Sequence, residues 1–289
     1  MDNPPTSTAD VKALAAGIGR PDADARSAAR AVLRSMGPVA ADGRLSQLAV
    51  WLAGVCSIGV PRRALLVVLT GGRTAPMTTK RVVAALEPGL RVLAAPVAPG
   101  VFRALEDGAA LADAEIDAGT DLLLVAAPLP TLATPAATVV ATLAGTDAPS
   151  VVAKDGVDDE TWMRTCAAVR DGMRRARPLA HDPARLLGVL GSPEMALLTG
   201  LLLRSAARRT PAVLDGPTPL AAALVAHRAA PDAAGWWLVA HHDDDPSAEV
   251  ALRHLALDPL LDLGLRGRDG TAAVLTLPLL RAAIGLVGG

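Results

Sequence analysis

The chain has 289 residues, 51% of them apolar, enough for one large domain, or a large one with a smaller appendage, and for a substantial core. Its net charge of −1 with no basic run argues against nucleic acid or an anionic membrane as a partner. With no Tyr and one Phe, the core must be built from Ala, Val and Leu, and the many alanines suggest closely packed helices.

In chain order, Met1 to Asp10 is polar, carries two prolines and lacks an apolar signal core. Residues 11–60 read as helical. Asp22 to Arg34 places acids early and arginines late, as the helix dipole favours. A second helix from Arg44 puts Leu45, Leu48, Trp51 and Leu52 on one face. Ala64 to Thr70 is then a short, continuously apolar run ending in two glycines, the pattern of a strand buried on both faces. Further strands are read at Leu90–Ala95, Asp121–Ala126, Pro211–Asp215 and Gly235–Ala240. Helices are read at Val101–Ala118, Ala136–Leu143, Asp159–Arg177, Pro193–Arg209, Thr218–Ala229 and Ser247–Leu255. Leu122 to Thr146 carries no charge, but Pro128, Pro130 and Pro135 interrupt it. A buried strand, a loop and a buried helix account for it better than a membrane span.

Strands alternating with helices predict an α/β fold: a doubly wound, mostly parallel sheet flanked by helices. The expected division is a small helical subdomain over residues 1–60 and an α/β domain over 61–289, with the C-terminal helix packing on the small one. Cys56 and Cys166 are isolated, which fits neither a disulfide framework nor a zinc pattern and points to a reducing cytoplasm. Ligands in such sheets gather beyond the carboxyl ends of the strands. Those ends are Thr70–Thr74, Ala126–Thr131, Asp215–Gly216 and His241–Asp245.

Each chemical candidate has a plain alternative. His241-His-Asp-Asp-Asp245 is dense in metal-ligand types, yet adjacent residues rarely aim at one ion; a solvated turn is favoured and no metal is expected. Asp215-Gly-Pro-Thr218 reads either as a turn with Thr218 as N-cap and Pro219 at the first helical position, or as helix-start amides facing an anion. Asp262 to Thr271 sets two aspartates and two arginines in a glycine-broken loop. Spacing alone favours a surface loop tied by Arg–Asp pairs over a held general base. Ser57, Cys56 and His181 have no nucleophile-elbow or triad context, and no dinucleotide fingerprint follows the first strand, so no cofactor is expected.

Several blocks in order carry a resemblance. They are Gly43-Arg-Leu-Ser-Gln-Leu-Ala, Ala112 to Leu123, Thr134-Pro-Ala-Ala, Val157-Asp-Asp, Val213 to His227, Trp236 to His241, Asp258 to Arg266 and Asp269-Gly-Thr. Over residues 40–285 the chain resembles the nicotinate-nucleotide:dimethylbenzimidazole phosphoribosyltransferase family, which makes the lower-ligand nucleotide of cobalamin. The resemblance implies a parallel-sheet domain with a smaller helical one, and a homodimer. It implies transfer of ribose phosphate from nicotinate mononucleotide to a benzimidazole nitrogen, with inversion at the anomeric carbon and release of nicotinate. A carboxylate in the family's Gly-Glu-Gly-Thr motif takes the azole proton.

The departures lie at the pocket elements. The family base is Asp269 here, one methylene shorter, which withdraws the carboxylate by about 1 Å. The glycine before it is Arg268, expected to set a cation beside the acid and depress its basicity. The family's glycine-rich loop is Ala127 to Thr134, with Pro128 at its acidic position and no glycine. The Gly-x-Gly-Thr-Gly loop is Ala153-Lys-Asp-Gly156, and the Gly-Asp-His-Gly turn is Thr70-Gly-Gly-Arg-Thr74. Proline removes amide donors, and glycine lets backbone approach a phosphate or ribose.

Two readings follow. In one, the chain is an active phosphoribosyltransferase with Asp269 as base, and Lys154 and Arg73 replace the loop amides at the phosphate. Thr131, Thr134, Asp155, Asp215, Gly216, His241, Gly270 and Thr271 then complete the substrate site. In the other, it is a non-catalytic homologue that binds a nucleotide or azole, or partners an active paralogue as a heterodimer. Three altered loops weigh slightly toward the second.

Overall fold

The computed structural model describes residues 8–37, 43–56, 61–70, 74–87, 90–95, 97, 100–190 and 192–287. Six parallel strands form one sheet: β1 (Ala64–Leu69), β2 (Arg91–Ala95), β3 (Leu122–Ala126), β4 (Ala212–Asp215), β5 (Trp237–His241) and β6 (Pro259–Leu261). Their order across the sheet is β2-β1-β3-β4-β5-β6, and every pair is parallel. The order reverses between β1 and β3, so the crevice at their carboxyl ends is the place where such sheets take ligands.

The period of two along each strand sends alternate residues into two cores. Leu65, Val67, Leu69, Leu123, Val125, Leu214, Trp237 and Val239 face a layer that includes α5 (Val101–Asp117), α6 (Ala133–Ala144), α9 (Pro193–Ala207), α10 (Pro217–Ala229) and α11 (Pro246–Leu255). Leu66, Val68, Leu124, Val213, Leu238 and Ala240 face α2 (Ala23–Ser35), α3 (Arg44–Val55), α4 (Met77–Leu86) and α12 (Thr271–Ile284). Both faces are covered, which is why the strands read as unbroken apolar runs. Among the described residues three more helices complete the fold: α1 (Thr8–Ala15), α7 (Asp159–Ala176) and α8 (Pro183–Leu190). The uncharged stretch at 122–146 forms β3, a short 3-10 turn at Pro130–Leu132 and the buried α6. No helix among the described residues is long and apolar enough to cross a membrane.

Alanine and glycine content is used where α5 crosses α9. A Cβ on Gly108 would lie 2.0 Å from the Leu197 carbonyl oxygen, and one on Gly200 would lie 2.0 Å from that of Leu105. The two helices therefore touch backbone to backbone. Gly200→Ala is expected to cost about 1–3 kcal/mol by forcing them apart, lowering the thermal midpoint in calorimetry. An unchanged midpoint would contradict this close crossing.

Four details differ from the sequence expectation. Leu45 is 37% exposed, and α3 instead buries Leu48, Ala49, Leu52 and Val55. Helix α10 begins at Pro217 rather than Pro219, because Gly216 at φ 95° makes the turn and Pro217 takes the first helical position. The acidic-basic run after Asp258 opens with the edge strand β6, paired to β5 through Val239 with Pro259 and His241 with Leu261. Helices α4 and α8 lie where no element was expected.

Candidate active site

The carboxyl ends of β4 and β5 and the start of α12 meet above the sheet. The Asp215 carboxylate, at the last residue of β4, crosses to the first turn of α12. Its Oδ2 accepts the Gly270 N–H at 3.0 Å and the Ala273 N–H at 3.4 Å. Two of the helix's orphan amides are thus satisfied by a side chain from another strand. Burial pushes the Asp215 pKa up to about 7; the two amides oppose the shift, and neighbouring Asp269 and Asp243 add to it.

Asp269 is 5% exposed. Its Oδ1 accepts the Thr271 N–H at 3.1 Å, and its carbonyl oxygen accepts the Thr79 hydroxyl from α4 at 2.9 Å. Gly270, at φ 91°, lets the turn close onto β1: a Cβ there would meet Leu66 at 2.8 Å. The Thr271 Oγ1 is buried with no partner among the described residues, an unused donor beside the acid. Asp215, Asp269, Gly270 and Thr271 are therefore brought together.

Arg268 does not lie on Asp269 as the sequence suggested. Its Nε and Nη2 donate to the two oxygens of Asp243 at 2.7 Å each, and its Nη1 lies 3.3 Å from Asp245 Oδ2. The physical reason is geometry: at φ 49° the Arg268 backbone turns the side chain toward the β5–α11 turn. There a bidentate carboxylate matches the planar guanidinium. Gly216 makes room, since a Cβ there would sit 3.1 Å from that of Arg268. Burial disfavours the charge, but Asp243 and Asp245 more than offset it and hold the Arg268 pKa above its usual value.

The histidine-aspartate run is accordingly structural. His241 Nε2 accepts the N–H groups of Leu263 at 2.8 Å and Leu265 at 3.3 Å, and burial lowers its pKa, so the ring is neutral and props the loop after β6. Asp245 caps α11 through the Ser247 N–H at 2.9 Å. No group of three or more metal-ligating side chains occurs among the described residues.

Lys154 and Asp155, both exposed, line a cavity of about 490 Å³ that Asp269 does not line. Asp243, Asp245, Arg266 and Arg268 line it too, so the residue preceding Asp269 reaches this cavity. Lys154 pairs with Asp159 at 3.3 Å and sits 5.5 Å from the Trp162 ring; Arg266 pairs with Asp244 at 3.2 Å. Both pairs are exposed and worth little, so either cation is free to exchange its partner for a ligand anion. Thr131 is exposed in the 3-10 turn, and Thr134 is half-buried in the first turn of α6, where its carbonyl accepts the Thr138 hydroxyl. Among the described residues neither is hydrogen-bonded to the Asp269 cluster. Arg73 lies outside the described residues. Sequence reasoning missed Thr79 and the roles of Asp243 and Asp245; Thr79 sits in a helix with no motif to mark it.

The Asp215 shift has a testable sign. A carboxyl whose folded pKa lies above its unfolded value binds protons more tightly when folded. Its contribution therefore falls as pH rises from about 4 to about 7, and levels above that. Asp215→Asn is expected to flatten that segment of the stability-versus-pH curve in urea denaturation. An undiminished slope would show that other groups carry it.

A phosphoribosyltransferase family model matches residues 73–289. A nicotinate-nucleotide–dimethylbenzimidazole phosphoribosyltransferase of Streptomyces avermitilis is 45% identical over 191 residues, 65% of this chain and 50% of that protein. The enzyme of that name from Streptomyces coelicolor is 42% identical over 191 residues, 65% of this chain and 53% of the relative. The chain thus spans about half the length of these relatives. A crystal structure of CobT from Thermus thermophilus superposes with a TM-score of 0.76 at 26% identity, covering 91% of this chain and 96% of that one. A second structure from Thermus thermophilus, a phosphoribosyltransferase of that same kind, has a TM-score of 0.79 at 24% identity over 92% of this chain and 96% of that one, a likeness of fold.

Proposed function

We propose that this chain, which belongs to the phosphoribosyltransferase family, transfers ribose phosphate from nicotinate mononucleotide to a benzimidazole, giving α-ribazole phosphate and nicotinate. The observation that carries the reading is the state of Asp269. It is a buried carboxylate at the mouth of α12, and the one cation beside it in sequence is held away by Asp243. A carboxylate so placed is free to accept the azole N–H proton. As that proton leaves, the other ring nitrogen attacks the anomeric carbon, and the bond to nicotinate breaks with its electron pair returning to the pyridinium nitrogen. Asp215 and Thr79 hold the turn that carries the base. Lys154 and Arg266 supply cations for the phosphate, in place of the amides that a glycine-rich loop would offer.

The test is incubation of the protein with nicotinate mononucleotide and dimethylbenzimidazole, following nicotinate by chromatography. Release proportional to enzyme supports transfer, and its absence sinks it. A second reading, a protein that binds the same ligands without turnover, is favoured by the loop after β3. Pro128 and Pro130 offer no amide there, and Pro130 starts a 3-10 turn. Saturable azole binding without nicotinate release would establish it.

A further inference from the structure

The loop after β6, residues 262–267, carries Arg266 to the cavity of about 490 Å³, yet little ties its backbone down. Pairing of β6 with β5 ends at Leu261, whose carbonyl accepts the His242 N–H at 2.8 Å. Beyond that point, among the described residues, the loop's backbone hydrogen bonds all end on one atom. His241 Nε2 accepts the Leu263 N–H at 2.8 Å and the Leu265 N–H at 3.3 Å. His241 is 5% exposed and is the last residue of β5, so the anchor stands on the sheet itself.

Both bonds need the lone pair of Nε2, so they exist only while the ring is neutral with its proton on Nδ1. A proton on Nε2 turns an acceptor into a donor and sets it against two N–H groups. Burial disfavours the charged ring and lowers its pKa. Asp262 of the loop, and Asp243 and Asp244 of the turn after β5, favour the charge, while neighbouring His242 opposes it. Two arrangements therefore compete: a neutral ring bonded to the loop, and a charged ring drawn to these carboxylates. Arg266 follows Leu265 directly. Among the described residues its partner is Asp244, at 3.2 Å, in an exposed pair that holds it weakly. The loop thus sets where Arg266 stands, and His241 sets where the loop stands.

We propose that His241 is a positioning residue for anion binding: as a neutral acceptor it latches the loop so that Arg266 faces the larger cavity, and uptake of a proton releases both. This rests on the reading that Arg266 meets the phosphate. The charge gained by the ring would by itself favour an anion, but Asp262, Asp243 and Asp244 face it. The displacement of Arg266 is the larger effect.

The probe is sulfate, a dianion throughout the range, titrated into the full chain between about pH 7.5 and about pH 5. The Leu263 and Leu265 amides and the His241 ring are followed by NMR. Both amide signals are expected to move in step with protonation of the ring, at a midpoint below the ordinary histidine value of 6.5. Sulfate affinity should fall at least about tenfold over the same step, the contribution of one hydrogen bond to a charged group. His241→Gln keeps an acceptor but takes up no proton, so its amides and its sulfate affinity should not change across that step. Amide signals that stay fixed while the native ring titrates would overturn the proposal, as would an equal pH-dependent loss of sulfate in His241→Gln. Sulfate bound equally well by Arg266→Gln at about pH 7.5 would overturn the part given to Arg266. Absence of nicotinate release beside the expected amide and sulfate changes would sink the transfer reaction and leave the latch standing.

Discussion

Asp269→Ala is expected to lower the turnover of nicotinate mononucleotide with dimethylbenzimidazole by about 10²–10⁴-fold, the contribution of a positioned general base. The effect should fall on kcat, with little change in the apparent affinity for nicotinate mononucleotide, because in the proposed reaction the carboxylate acts on the azole proton. Asp269→Glu is the informative companion. The longer side chain extends the carboxylate by about 1 Å into the site, and small misplacements at a reacting group cost large factors in rate. The glutamate variant should therefore equal or exceed the native chain. Steady-state kinetics on the three proteins decides the matter. Turnover unaffected by Asp269→Ala would remove this residue from the chemistry.

The second large effect is one of stability. Asp243→Ala leaves the Arg268 guanidinium half-buried, with Asp245 Oδ2 at 3.3 Å as its one remaining carboxylate partner. Breaking a buried pair from one side costs about 3–5 kcal/mol; with 35% of the Arg268 side chain exposed, about 3 kcal/mol is expected. Arg268→Gly should cost less, because glycine tolerates the φ of 49° that arginine holds under strain. Joining the two changes should be far less harmful than their sum, since no orphaned charge then remains. Equilibrium urea unfolding of both single variants and the double gives the coupling directly. Simple additivity would mean that the pair seen at 2.7 Å contributes nothing as a pair.

The contrast between these two residues shows what was legible in sequence. The strands β1, β3 and β4 were legible because burial on both faces leaves short unbroken apolar runs rich in Leu and Val. β6 was not, since its three residues begin with proline and follow an aspartate, which looks like a turn. Helix α4 opens Met-Thr-Thr-Lys with no acid and no cap, so no start signal marks it. At the site, Asp215 and Asp269 were found through a motif. The direction of Arg268 was hidden because its partner stands 25 residues away, and local spacing suggested the adjacent Asp269 instead. Thr79 lies 190 residues from the turn it supports, a contact made by the fold and by no pattern.

Arg268 and the aspartates of the β5–α11 turn act together: each would be an unpaired buried charge without the other. Together they hold the Arg268 cation on the β5–α11 turn, away from the carboxylate proposed as the base.

Proton NMR of the protein with nicotinate mononucleotide and dimethylbenzimidazole tests the central claim most directly, because the anomeric proton of the ribose reports which bond has formed. Transfer with inversion predicts that the β-anomeric signal of nicotinate mononucleotide declines while an α-anomeric signal of the ribazole phosphate grows in step with free nicotinate, and that neither change occurs with Asp269→Ala. Persistence of the β-anomeric signal alone, under conditions where dimethylbenzimidazole is bound, would contradict it.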